Sequence, residues 1–186
     1  LVDSIPDASV LILSGSPIIG SFEFKPRVDF VRVPGVTKLR NGAYSSLSLP
    51  IDIDHTMAIR ASIIEHTAEV FDPDIFIVDK EPLGLRGEVR TTLEKLGKRG
   101  TRLVLGLRDV MDDPDVLKEE WERKGAPEAV ENLYDDVWVY GRKEIHDPLE
   151  GIGVPDSVRE KALFTGYLRR EMPVPTPQSF RSPFGE

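Results

Sequence analysis

The chain has 186 residues, enough for one ordinary domain with a sizeable core. Its 30% charged and 40% hydrophobic residues are those of a globular protein, and a net charge of -8 argues against a sequence-independent grip on nucleic acid, which needs a basic surface. There is no cysteine, so no disulfide framework and no thiolate metal site, and no apolar run reaches the roughly 18–20 residues of a membrane span.

The opening LVDSIPDASV has neither the basic start nor the apolar centre of a signal peptide, and LVDSI reads as the end of a helix feeding the first strand. SVLILSGSP, Ser9 to Pro17, predicts a buried strand closed by a Gly-Ser-Pro turn. VDFVRVPG, Val28 to Gly35, predicts a second strand stopped by Pro34 and Gly35. The polar stretch from Val36 to Asp52, with Asn41-Gly42 at its tip, is a hairpin or a long loop. From Asp54 to Phe71 the apolar residues Met57, Ile59, Ile63, Ile64, Ala68 and Phe71 fall near helical spacing, with Asp54 or Thr56 as the cap.

Ile75 to Val78 then reads as a buried strand, followed at once by Asp79, Lys80 and Glu81. Pro82 and Gly84 break the chain, and a helix is expected from about Gly84 to Gly97, with Lys95, Lys98 and Arg99 near its carboxyl end. TRLVLGL is the next strand, ended by Arg108 and Asp109. After it comes a helix capped by Asp112 or Asp113 with Pro114 in its first turn, broken at Gly125-Ala126-Pro127 and followed by a second short helix. VWVY, Val137 to Tyr140, is another strand, then one helical turn within PLEGIGVPDSVREK, and ALFTGYL closes the series.

Strands alternating with helices predict βαβ crossovers. The expected fold is α/β and Rossmann-like, with a mostly parallel sheet and helices on both faces. Four strands ending in polar residues would bring those residues to one sheet edge, where open parallel sheets bind ligands. A parallel sheet normally begins near its centre, so a first strand and its loop, upstream of Leu1, are expected to belong to the same domain. Residues 1–170 form that domain. Residues 171–186, carrying four prolines, form a linker or tail.

In order and spacing, LILSGSP, VDKEPLGLRGE, LVLGLRDVMDDP, YDDVWVYG and FTGYLRR resemble the N-terminal half of a family of predicted bacterial glycosyltransferases. That family is similar in architecture to MurG, which adds N-acetylglucosamine to a lipid-linked peptidoglycan precursor. The resemblance extends to about Arg170. It implies a GT-B architecture, two Rossmann-like domains across a cleft, with a sugar acceptor on the N-terminal domain and a nucleotide-sugar on the other. The sequence lacks the family's first strand with its Gly-His loop, and it lacks the donor domain. The 186 residues are therefore expected to be inactive alone, with no nameable catalytic base and no cofactor within them.

The residues expected to line the acceptor cleft are Lys80, Glu81, Arg108, Asp109, Tyr140, Gly141, Gly166 and Arg169. A carboxylate after a buried strand can accept hydrogen bonds from hydroxyls or cap the next helix, and an arginine can grip phosphate or carboxylate. Glu81 with Arg108 can equally form a salt bridge across neighbouring strands. Tyr140 can stack on a sugar or pack on the rim, and Gly141 lets backbone approach a ligand. Asp112, Asp113 and Asp115 suit a helix cap better than a metal, and His55, His66 and His146 have no ligand spacing. Trp121 and Trp138 read as packing residues. The alternatives are a non-catalytic α/β module binding a glycan, a nucleotide or a protein, and a relative of sugar-nucleotide epimerases. The expected setting is the cytoplasm, with peripheral contact at the inner membrane; no nucleic acid is expected as a partner.

Overall fold

The structure is a computed structural model and describes residues 2–40, 42–111 and 113–167. Arg169 and the proline-rich stretch 171–186 lie outside them. The fold is mixed α/β and Rossmann-like, as the strand–helix alternation predicts. Strand β1 (Val10–Ser14) pairs in parallel with β2 (Val28–Arg32). A short antiparallel hairpin follows, β3 (Val36–Lys38) with β4 (Tyr44–Ser46). Helix α1 (Ile53–Phe71) leads to β5 (Ile75–Asp79), α2 (Arg90–Arg99), β6 (Arg102–Arg108), α3 (Pro114–Lys124), α4 (Ala126–Leu133), β7 (Asp136–Tyr140), α5 (Asp156–Glu160) and β8 (Ala162–Phe164). Strands β5, β6, β7 and β8 form one parallel sheet in that order.

Local chemistry explains where the helices start. The carboxylate of Asp52 accepts from the His55 backbone N–H at 2.7 Å, so Asp52 is the cap of α1. The sequence points to Asp54 or Thr56 instead. Thr56 turns its hydroxyl back to the Asp52 carbonyl at 3.0 Å, which leaves it inside the first turn. Helix α2 starts at Arg90, later than the expected Gly84, because Gly84 and Gly87 adopt φ of 74° and 88° and hold residues 84–89 in turns. Asp113 caps α3 by accepting from Asp115 N at 3.0 Å, with Pro114 in the first turn. Residues 2–4 form a turn rather than the end of a helix. The Arg27 guanidinium holds this segment by donating to the carbonyls of Val2, Ile5, Pro6 and Ala8.

Register divides the sheet β5–β8 into two faces. Val78, Leu103, Leu105, Leu107, Val137 and Val139 point to one face and are buried in a single core with Leu93 and Leu96 of α2, Leu117 and Trp121 of α3, Val130 of α4 and Val158 of α5. Ile75, Ile77, Val104, Trp138 and Leu163 point to the other. There Val104, on the central strand β6, is buried, but Ile75, Ile77 and Leu163 on the outer strands are 49%, 41% and 57% exposed, against 0–8% for the six residues named on the first face. At roughly 25 cal/mol per Å² of buried apolar surface, the helix-covered face supplies most of the hydrophobic stabilisation.

Helix α1 ties the β1–β2 pair to this sheet. Near its start, Arg60 donates to the Pro34 carbonyl after β2 at 2.8 Å and to Glu88 in the loop after β5 at 2.9 Å. At its end, Phe71 lines a cleft with Val10, Leu11 and Val28 of β1 and β2, four residues before β5 begins. The carboxyl ends of β1, β2 and β5 thus meet one end of α1, and their amino ends meet the other.

Candidate functional site

The carboxyl edge of the sheet gathers the polar ends of four strands. β5 ends in Asp79, after which Lys80 turns with φ of 65° and donates its N–H to the Gly106 carbonyl at 2.8 Å. That left-handed turn at a non-glycine residue redirects the chain away from the sheet and swings Glu81 towards α3. Glu81 accepts from Lys124 Nζ at 2.7 Å, and Lys124 also binds Glu120 at 2.6 Å. Burial opposes the Lys124 charge, but the hydrogen bonds to Glu120 and Glu81 outweigh it and hold the ammonium above its usual range. The Glu81–Arg108 bridge that neighbouring strand ends suggest does not form. Glu81 has a structural task, anchoring the loop after β5 to α3.

Arg108 ends β6 exposed, beside Tyr140 in register, with no ion pair among the described residues. Tyr140 folds its ring back across Gly106: a methyl group built on Gly106 would lie 2.3 Å from the Tyr140 hydroxyl. Glycine at that point of β6 gives the ring its place. Half-burial raises the Tyr140 pKa above the ordinary phenol value, and the nearby Asp79 carboxylate raises it further. Tyr140 is therefore a protonated hydroxyl beside the Asp79 side chain.

Asp109, one residue on, packs its side chain against buried Gly141, where a Cβ would meet the Asp109 Cβ at 2.3 Å. Its carboxylate accepts from Val110 N at 2.9 Å and hydrogen-bonds the Tyr167 hydroxyl. That hydrogen bond, followed by desolvation and by the Asp109 charge, raises the Tyr167 pKa, against the opposing charge of Arg142. Gly166, at φ of 71°, donates its N–H to the Gly141 carbonyl at 3.0 Å, which brings Tyr167 back over the ends of β6 and β7.

Of the residues expected from sequence, Arg108, Asp109, Tyr140, Gly141 and Gly166 come together at this edge. Lys80 lies half-buried on the turn beside it, Glu81 is turned away, and Arg169 lies outside the described residues. Asp79 and Tyr167 join the group. Asp79 was legible as the last residue of an apolar strand. Tyr167 had no local signal, because only the return of the chain at Gly166 brings it to Asp109. Asp113 is a helix cap, and no cluster of three or more metal-ligating side chains occurs among the described residues.

The edge thus presents two tyrosine hydroxyls, each beside a carboxylate, with the Arg108 guanidinium on the intervening strand. Carboxylates accept from ligand hydroxyls, protonated phenols donate, and guanidinium binds carboxylate or phosphate. A cavity of about 500 Å³ lies at the opposite edge among Leu93, Gly97, Thr101, Arg102, Leu133 and Asp135. Of its charged groups, Arg102 holds Asp136 through two hydrogen bonds, and Asp135 caps the Leu103 N–H. The carboxyl edge, where open parallel sheets bind ligands, is the one that gathers paired donors and acceptors. Among the described residues no helix is long and apolar enough to cross a membrane. Comparison with family models, with curated proteins and with solved structures finds no match to the chain.

Proposed function

We propose that the chain is the acceptor-binding domain of a GT-B glycosyltransferase that moves a sugar from a nucleotide-sugar to an acceptor hydroxyl. The observation that carries this reading is the pair of tyrosine–carboxylate couples at the carboxyl edge, Tyr140 with Asp79 and Tyr167 with Asp109. Polyhydroxylated ligands ask for closely spaced donors and acceptors beside flat apolar rings, and this edge offers both. Arg108 suits an anionic group on the acceptor. The nucleotide-sugar belongs to a second domain, and the working place is the cytoplasm, at the surface of the inner membrane.

The test is label transfer from a panel of nucleotide-sugars to soluble glycans and to lipid extracts by the full-length natural protein. Asp79→Asn and Asp109→Asn are expected to raise the acceptor KM about tenfold each, the loss of one charge-assisted hydrogen bond, without changing the donor KM. Release of free nucleotide at the same rate without acceptor overturns the reading in favour of an epimerase. Failure of every donor to label any acceptor overturns it in favour of a binding module.

A further inference from the structure

The cavity at the amino edge, of about 500 Å³, has the size of a small-molecule site. It lies between α2 and the end of α4, at the start of β6. Its floor is apolar: Leu93 and Leu103 are 0% and 2% exposed, and Leu133 lies beside them. Gly97 and Gly100 also line it and add no side chain. A Cβ on Gly97 would lie 3.3 Å from Leu103 Cδ1, so α2 sits close on β6 and the floor stays open to its apolar residues. No aromatic side chain lines the cavity.

The polar groups around this floor are underused. Glu94 and Lys98 stand four positions apart on α2, in the order that favours an ion pair. They do not form one. Glu94 lies 4.0 Å from Arg90 instead, and Lys98 has neither an ion pair nor a side-chain hydrogen bond among the described residues. Thr101, just before β6, is 7% exposed. Its hydroxyl has no hydrogen-bond partner among the described residues, yet it is not sealed in the core as the Thr92 hydroxyl is. Such a hydroxyl costs free energy unless water or a ligand supplies a partner. On the α4 side, Asp135 spends one carboxylate oxygen on the Leu103 N–H at 2.7 Å and keeps the other.

We propose that this cavity binds a free α-amino acid with an aliphatic side chain. Such a ligand carries an ammonium and a carboxylate on one carbon, beside an apolar chain. Side chains four apart on a helix are about 5–6 Å apart at Cβ, so Glu94 and Lys98 offer opposite charges at the spacing of one such headgroup. The ligand ammonium donates to the Glu94 carboxylate and to the free oxygen of Asp135. Its carboxylate accepts from Lys98 and from the Thr101 hydroxyl, and its aliphatic chain covers Leu93 and Leu103. A nucleotide suits the cavity less well: its base finds no aromatic ring to stack on, and its phosphate meets Glu94 and Asp135 as well as Lys98. The site is separate from the acceptor edge, and it stands or falls independently of the glycosyltransferase reading.

The test is calorimetric titration of the full-length natural protein with leucine, and with two analogues that each lack one charge, isopentylamine and isocaproate. Leucine is expected to bind at least about tenfold more tightly than either analogue, the worth of one charge-assisted hydrogen bond. Lys98→Ala is expected to weaken leucine binding at least about tenfold, and Thr101→Val, which keeps shape and burial, about fivefold. Lys98 is exposed, so its removal leaves the core untouched. Amide resonances of Gly97, Gly100, Thr101 and Leu103 are expected to shift with leucine. Either analogue binding as tightly as leucine overturns the proposal, and so does leucine binding that both variants leave unchanged. Absence of leucine binding up to about 10 mM, beyond the millimolar end of specific affinity, also overturns it.

Discussion

Arg60 Nη2 donates to Glu88 Oε1 across 2.9 Å, with the two side chains only 10% and 2% exposed. The pair stitches α1 to the loop after β5. Arg60 also holds the Pro34 carbonyl, and Glu88 also accepts the Arg86 N–H. Removing one partner strands a buried charge. Arg60→Ala is expected to lower unfolding free energy by about 3–5 kcal/mol in urea, whereas the double variant Arg60→Met with Glu88→Leu recovers most of that loss. A double variant as unstable as the single one would show that the pair's hydrogen bonds to backbone, rather than its charges, set the cost.

Gly106 makes room for the Tyr140 hydroxyl. Gly106→Ala forces the ring off the sheet face, with an expected stability loss of about 1–3 kcal/mol from overpacking. The accompanying readout is the Tyr140 phenol, whose pKa falls towards the ordinary value as the ring leaves its half-buried place beside Asp79. Alkaline titration followed by ultraviolet absorbance checks this. An unchanged titration curve would mean that alanine is accommodated with the ring in place.

The same titration tests the second couple. Asp109 is the first cause of the raised Tyr167 pKa, so Asp109→Asn removes the carboxylate acceptor and its charge. One tyrosine is expected to titrate at lower pH than in the parent, towards the usual value of about 10. Tyr167→Phe, which deletes that titration, identifies it.

Arg102 holds the Asp136 carboxyl below the ordinary carboxylate range, first through its side-chain hydrogen bonds, at 2.7 and 2.8 Å. A depressed folded-state pKa gives stability that is present above the unfolded value of about 3.9 and lost as pH falls through the folded value. Asp136→Asn is therefore expected to cost up to about 1 kcal/mol near neutral pH, the modest worth of a partly exposed pair. It should cost almost nothing at about pH 2. Urea unfolding at the two pH values checks it; a loss independent of pH would assign the effect to packing.

Much of the framework was legible because its signals are local. The apolar runs of β5, β6 and β7, each cut off by charged or polar residues, place both the strands and their common edge. Asp113–Pro114 and Gly125 punctuate α3 and α4 without tertiary help. The errors have tertiary causes. Lys124 reaches Glu81 from a helix 43 positions along the chain, so the sequence could only offer the neighbouring Arg108 as a partner. Glu88 falls inside the helix expected from about Gly84, and instead lies in the turns before α2, buried against Arg60, 28 positions back. Tyr167 reaches Asp109 only because Gly166 turns the chain.

The strands β5, β6, β7 and β8 stand in the sheet in the order in which they are synthesised. Each new strand finds its neighbour already in place, and no pairing waits for a strand made later than the next one. That order lets this part of the protein assemble row by row as it leaves the ribosome, the last row added being the one that carries Tyr167 to the edge.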